Sequence, residues 1–259
     1  MNEQKTAPSR RRICLMDEVR GFAVLCMVVH HALYSIGYLF DVAWGRTLFD
    51  VLAVFSPFFA TLFVMISGVS SQLSRSNLAR GGKLLLISVA MTAVTLIAMP
   101  SQAIWFGVLH MLAVSMLVYG LLQKSLRRVP LGVGLAACAV LFFLTAGLHF
   151  GLYPYVGVPG VPALQWDAYH PAGKWLFPFG IRTLTFASSD YYPIFPWIFA
   201  FFAGGFLGRF AASERLPQWV YPSRAPFFSW IGKHALWIYI LHQPILSGII
   251  YILQLIFGF

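Results

Sequence analysis

Three histidines lie within long apolar runs, where an imidazole could do acid–base work. His31 follows Arg20 by eleven residues, His242 lies in Leu241-His242-Gln243-Pro244, and His110 closes Phe106-Gly107-Val108-Leu109-His110. A neutral imidazole is a base and a nucleophile near physiological pH, and ionisable groups at membrane depth face a protein interior or an aqueous cavity. On a helix, eleven residues are about three turns. Arg20 and His31 then share a face with Asp17, Val24 and Met27, and His31 lies roughly 16 Å deeper. His31 therefore reads as a base or nucleophile near mid-bilayer above a cationic mouth, against the blander alternative of an interhelical hydrogen bond. His30 points about 100° away and reads as packing. Pro244 removes a backbone donor and frees the carbonyl near Ile240, so His242 and Gln243 serve either a kink or a substrate contact. His110 falls in the outer third of its run, as a substrate contact or an interfacial histidine.

Two charged features accompany them. Asp190, in Ser189-Asp190-Tyr191-Tyr192-Pro193, is either an ordinary helix start or an acid able to orient a hydroxyl or amine. Arg75, Arg80 and Lys83, with Gly81 and Gly82 between them, form a short basic loop. Its cations and glycine amides could bind phosphates or could simply set topology.

The elements that must position these groups are membrane helices. The chain has 259 residues, 59% hydrophobic and 10% charged, with mean hydropathy +0.76. Soluble domains carry roughly a quarter of their residues as Asp, Glu, Lys and Arg, so soluble classes are excluded, as are disorder and collagen. A helical span needs roughly 20 apolar residues, and seven blocks qualify: about 20–40, 47–72, 84–99, 105–122, 131–150, 191–210 and 230–257. They are continuous runs without the alternation of a β-barrel. The expected fold is all-α, a polytopic bundle of about seven transmembrane helices, N-terminus in and C-terminus out. Residues 1–19 form a basic cytoplasmic segment, and 20–259 form one membrane domain with an outside loop at about 151–190. That loop is rich in Pro, Gly and aromatics, including Tyr153-Pro154, Val158-Pro159-Gly160, Trp166-Asp167 and His170-Pro171. Arg10-Arg11-Arg12 ahead of an apolar run resembles a signal peptide. The run is longer than a signal core and no small-residue cleavage pattern follows His31, so it reads as a retained first span.

The net charge of +10 does not indicate a nucleic-acid partner, because the cations are dispersed between apolar blocks. Cys14, Cys26 and Cys138 make no metal spacing and no disulfide framework, and read as buried thiols. Phosphate-loop, zinc-protease, C-x-x-C and G-x-S-x-G patterns do not occur, nor do paired membrane carboxylates.

These residues, taken in order, resemble bacterial membrane proteins related to the heparan-α-glucosaminide N-acetyltransferase catalytic domain, within the wider transmembrane acyltransferase group. The matching pieces are Asp17-Glu18-Val19-Arg20-Gly21 leading to Met27-x-x-x-His31, Phe63 to Ser70, Arg80 and Phe106 to His110. They continue with Asp190 to Trp197, Gly204 to Arg209, and Leu236 to Pro244. The resemblance implies an acyl donor such as acetyl-CoA reached from the cytoplasm, and a sugar acceptor outside. It maps the first-span histidine of related acyltransferases onto His31. Many relatives place an aromatic and an acid soon after that histidine, where this chain has Ala32-Leu33-Tyr34-Ser35, and the eukaryotic enzymes are larger, so acceptor identity does not carry over.

The expected activity is acyl-CoA-dependent N- or O-acetyl transfer to an envelope carbohydrate, by an integral protein of a bacterial inner membrane, with a homodimer as a candidate assembly. His31, Asp190 and His242 are the candidate catalytic groups, Arg75, Arg80 and Lys83 the donor-binding groups, and Arg20, His110 and Gln243 the acceptor contacts; no metal is expected. The alternative from another class is a transporter or binding protein for a small anionic solute, using the same histidines and cations. In the seven-span arrangement fifteen cations lie inside and three, Arg46, Lys174 and Arg182, outside. A reporter fused after Phe259 is therefore expected to be active only as an extracytoplasmic fusion; cytoplasmic reporter activity there would mean a miscounted span.

Overall fold

Between Ile13 and Phe40 the chain has no proline, and its apolar residues satisfy their backbone groups within one helix. In the computed structural model, which describes residues 11–147, 152–153, 164–165, 173–183, 185–213 and 216–257, this run is α1, Cys14–Tyr34. It continues through one π-helical turn, Ser35–Leu39. The helices that follow are α2 (Ala43–Ala53), α3 (Ser56–Gln72), α4 (Asn77–Ala98), α5 (Val108–Leu126), α6 (Leu131–Thr145), a single turn α7 (Gly173–Leu176), α8 (Ile194–Ala212), α9 (Pro226–Lys233) and α10 (Ala235–Phe257). One short antiparallel pair sets Leu152 opposite Gln165. Of the expected outside loop, Pro154, Val158-Pro159-Gly160, Trp166-Asp167 and His170-Pro171 lie outside the described residues, as does Arg10.

The protein is an all-α polytopic membrane fold. Among the described residues five helices are long and apolar enough to cross a bilayer: Cys14–Leu39, Asn77–Ala98, Val108–Leu126, Ile194–Ala212 and Ala235–Leu253. The block expected at 47–72 is broken, since α2 and α3 meet at a 56° bend and make a sixth span only if taken together. The block at 131–150 corresponds to α6, whose described helix is 15 residues long. Leu86 on α4 is 73% exposed and Ile97 84%. Apolar surface of that extent belongs in hydrocarbon.

The chain forms two compact units. In the first, residues up to Phe63 and from Leu216 onward, α1 packs on α9 and α10. The α1–α9 contact is a backbone contact: a Cβ on Gly21 would overlap the Phe228 carbonyl, and one on Gly232 would overlap the Asp17 carbonyl. Between membrane helices there is no hydrophobic driving force, so small residues that allow such approach carry the association. Glu18 secures the start of α9, one carboxylate oxygen accepting from Ser223 Oγ at 2.9 Å, Arg224 N at 2.7 Å and Ala225 N at 2.9 Å. Asp17 accepts from Arg12 Nε at 2.6 Å and Arg20 Nη1 at 3.2 Å, and its hydrogen bond raises the Arg12 pKa. Val24, Ile231 and Ala235 form the core below, surrounded by Leu25, Met27, Val28, Phe63 and Ile238.

In the second unit, Val64–Arg215, α4 pairs with α5 while α8 packs on both α5 and α6. Gly68 faces the Phe201 carbonyl and Gly204 the Met65 carbonyl, again with no room for a Cβ. Gln72 Nε2 donates to Tyr119 Oη at 2.5 Å and to the Gly205 carbonyl at 3.1 Å. Arg209, one of the cations assigned inside, closes the end of α5: its guanidinium donates to the carbonyls of Leu126 at 2.5 Å and Val129 at 2.8 Å.

Gly21→Ala is expected to lower stability by about 1–3 kcal/mol, because backbone must move to admit the methyl. Gly82→Ala, on α4 with no atom within 4 Å of its added Cβ, should be neutral or stabilising by up to about 1 kcal/mol. Unfolding of both variants in the same detergent checks the contrast.

Candidate functional site

The first unit brings three of the expected residues, His31, His242 and Gln243, into one cluster. His31, near the end of α1, and His242, on α10, have ring centroids 5.1 Å apart at 51°. One turn beyond His31 lies Ser35, fully buried, and the Gln243 amide nitrogen donates to its Oγ at 3.5 Å. Four polar side chains, two from each helix, thus meet within an otherwise apolar pair.

His242 Nδ1 lies 2.6 Å from the Tyr239 carbonyl oxygen. A carbonyl only accepts, so Nδ1 carries the proton in the neutral ring and Nε2 keeps its lone pair. That Nε2 is buried and makes no hydrogen bond, and neither does Gln243 Oε1. Pro244 contributes by withdrawing a donor from the Ile240 carbonyl within α10. The arrangement therefore presents two buried acceptors beside His31, a setting able to take an O–H or N–H from a bound molecule. His30 lies against Phe49 instead, with centroids 4.6 Å apart, and its ring meets that of His31 edge-on. Arg20 is engaged by Asp17 near the start of α1, about three turns from His31.

The second unit holds His110, Asp190 and the basic loop. Asp190 is buried and accepts from Val108 N at 2.9 Å, so it caps the start of α5 and not the helix that follows it in sequence. Gly107 is required there, because its Cβ would overlap the Asp190 carboxylate. Tyr192 N donates to the Phe106 carbonyl at 2.9 Å, which joins the two segments. His110, in the first turn of α5, is stacked on Phe106 with its Nε2 3.3 Å from Thr92 Oγ1. Thr92 spends its own proton on the Ile104 carbonyl at 2.6 Å, so its oxygen accepts and His110 Nε2 donates. The basic segment expected as a loop is helical from Asn77 on, so Arg80, Gly81, Gly82 and Lys83 lie in the first two turns of α4 and only Arg75 precedes it; the three cations are exposed and make no ion pair among the described residues. Twelve residues separate Arg80 from Thr92, about 18 Å along the helix, so the basic first turns and His110 belong to opposite ends of α4. Ser35 and the Tyr239 carbonyl were missed from sequence; for Ser35 a signal existed in its i+4 spacing from His31.

Among the described residues no group of three or more His, Cys, Asp or Glu could hold a metal ion. The fold and this centre define a polytopic membrane protein with a pair of half-buried imidazoles between two spans. Residues 12–244 match the family described as heparan-alpha-glucosaminide N-acetyltransferase, catalytic. The chain belongs to that family, and is accordingly a membrane acetyltransferase. No curated protein and no solved structure matches the chain significantly.

The hydrogen bonds assign opposite tautomers to two neutral histidines. Nitrogen-15 spectra of the histidine-labelled protein at alkaline pH, with His110→Gln and His242→Gln to assign the signals, are expected to show Nδ1–H for His242 and Nε2–H for His110. The same tautomer in both would contradict the geometry described.

Proposed function

We propose that the protein transfers an acetyl or other short acyl group from cytoplasmic acyl-CoA to an extracytoplasmic carbohydrate, in the inner membrane of a bacterial cell. The observation that carries this reading is the unpartnered, buried Nε2 of His242 beside His31, in a chain that belongs to an acetyltransferase family. His31 takes the proton from the acceptor amine or hydroxyl as that group attacks the thioester carbonyl. The carbon–sulfur bond breaks, and CoA leaves with its electron pair and takes up a proton. His242 and Gln243 supply acceptors that orient the attacking group, and Ser35 fixes the Gln243 amide.

Arg75, Arg80 and Lys83 hold the phosphates of the donor, a role supported by their exposure and lack of ion-pair partners among the described residues. Asp190 acts through the first amide of α5, the helix that bears His110, which serves as an acceptor contact in this reading. Arg20 contributes positive charge at the base of the helix that bears His31. The chain works as one membrane domain, N-terminus in the cytoplasm, and a homodimer is its proposed assembly.

General acid–base catalysis contributes about 10²–10⁴-fold, so His31→Gln should lose at least about two orders of magnitude in acyl transfer while binding acetyl-CoA like the wild type. His30→Gln, which alters the ring packed on Phe49, should lose far less. Turnover of labelled acetyl-CoA by purified protein with a panel of sugars, alongside calorimetry with CoA, reads both. Equal activity in the two variants would make His31 structural.

A further inference from the structure

We infer that α9 and the turn before it form an interfacial platform that binds the headgroup of an anionic phospholipid. The inference is independent of the acyl-transfer reading. The Gly21–Gly232 contact holds α9 level with Asp17–Gly21, the charged first turns of α1, which mark the edge of the hydrocarbon. Ser229, Ile231 and Gly232 are buried on one side of α9. On the other, Phe227 is 63% and Trp230 58% exposed, and Trp219, from the preceding 3₁₀ turn, is 52% exposed. A short helix with one face fixed and aromatic side chains on the other lies in the plane of the interface.

The cations around these rings define the headgroup. The Arg224 guanidinium lies 5.9 Å from the Trp219 ring centroid, and that of Arg11 lies 4.6 Å from the Tyr221 ring centroid while donating to Gln218 Oε1 at 2.8 Å. Lys233, at the end of α9, is exposed. Arg11, Arg224 and Lys233 have no ion-pair partner among the described residues. Of the acids near the start of α1, Asp17 is engaged by Arg12 and Arg20, while Glu18 accepts neutral donors from the turn that leads into α9 and its charge offsets part of that of Arg224. Three cations against the single nearby carboxylate charge of Glu18, seated among aromatic rings at the headgroup level, leave an excess of positive charge among the described residues that matches a phosphodiester bringing no ammonium of its own. A zwitterionic headgroup carries its own competing cation.

The test uses the full chain in phosphatidylcholine nanodiscs doped with brominated phosphatidylglycerol or with brominated phosphatidylcholine, reading tryptophan quenching. The wild type should be quenched preferentially by the brominated anionic lipid, and raising the salt concentration should weaken that preference. Arg224→Ala with Lys233→Ala should reduce it by about fivefold per cation removed. The Arg224 group bound to Glu18 is the backbone amide, so this variant keeps the α9 cap. Arg224→Lys with Lys233→Arg should restore the preference. Equal quenching by the two lipids in the wild type, or an undiminished preference in the alanine variant, overturns the inference. So does loss of the preference on adding inorganic pyrophosphate at low millimolar concentration, which would assign the cations to a free phosphate ligand. None of these readouts depends on turnover, so failure here leaves the acyl-transfer reading untouched, and failure of that reading leaves this one.

Discussion

A carboxylate near the edge of an apolar helix must be satisfied, and Glu18 meets that demand by taking three donors from a segment some two hundred residues later in the chain. Hydrogen bonds to an ionised acceptor are about twice as strong as neutral ones, and a carboxylate left buried without partners costs several kcal/mol. The segment at 223–225 is therefore held against α1, and α9 starts where Glu18 puts it. Gly21 and Gly232 then let the two backbones touch. The carboxylate fixes position, and the glycines fix distance.

The consequence propagates along α10. Only His234 separates α9 from α10, so fixing α9 fixes where the last helix begins and which of its faces meets α1. His242 and Gln243 follow about two turns later, on the side that meets His31 and Ser35. Val24, Ile231, Ala235 and Ile238 fill the space between the anchored end and the histidine pair. The imidazoles are thus held by packing on rigid elements, the condition under which a pair of side chains keeps a productive geometry.

Depth singled out His31 and His242 individually in the sequence, with helical face added for His31. Their proximity was not legible, because the two lie near opposite ends of the chain and nothing local links them. The long apolar runs were legible as helices for a similar reason of scale, since backbone groups in lipid have few other partners. The breaks inside them were not. Thr47 to Gln72 reads as continuous, and only Pro57, which disfavours helix at Ser56, hints at the bend that follows Ala53. The run from Trp230 likewise conceals the division between α9 and α10 at His234. Asp190 shows the limit of local reading most clearly. Its place before a proline suggested a cap for the helix that follows, yet its carboxylate is spent on Val108, eighty-two residues earlier, where Gly107 leaves room for it.

Helical hydroxyls elsewhere in this protein show what ordinary satisfaction looks like. Ser70, Ser88, Thr61 and Thr145 return their hydroxyl protons to carbonyls one turn earlier in their own helices, and Thr92 reaches the Ile104 carbonyl. Helical hydroxyls can do this at little cost, and among the described residues Ser74 and Ser229 are the buried hydroxyls without a hydrogen-bond partner. An imidazole and an amide are different, because each has a second polar atom that the helix backbone cannot serve. His242 uses its Nδ1 on the Tyr239 carbonyl and Gln243 its nitrogen on Ser35, which leaves Nε2 and Oε1 buried and unpaired on consecutive residues. Apolar residues of similar volume would remove that penalty without loss of packing. Unrelieved acceptors on consecutive residues of the helix that packs on the one bearing His31 are a cost that packing alone does not require, and they are what the proposed reading assigns to the donors of a bound molecule.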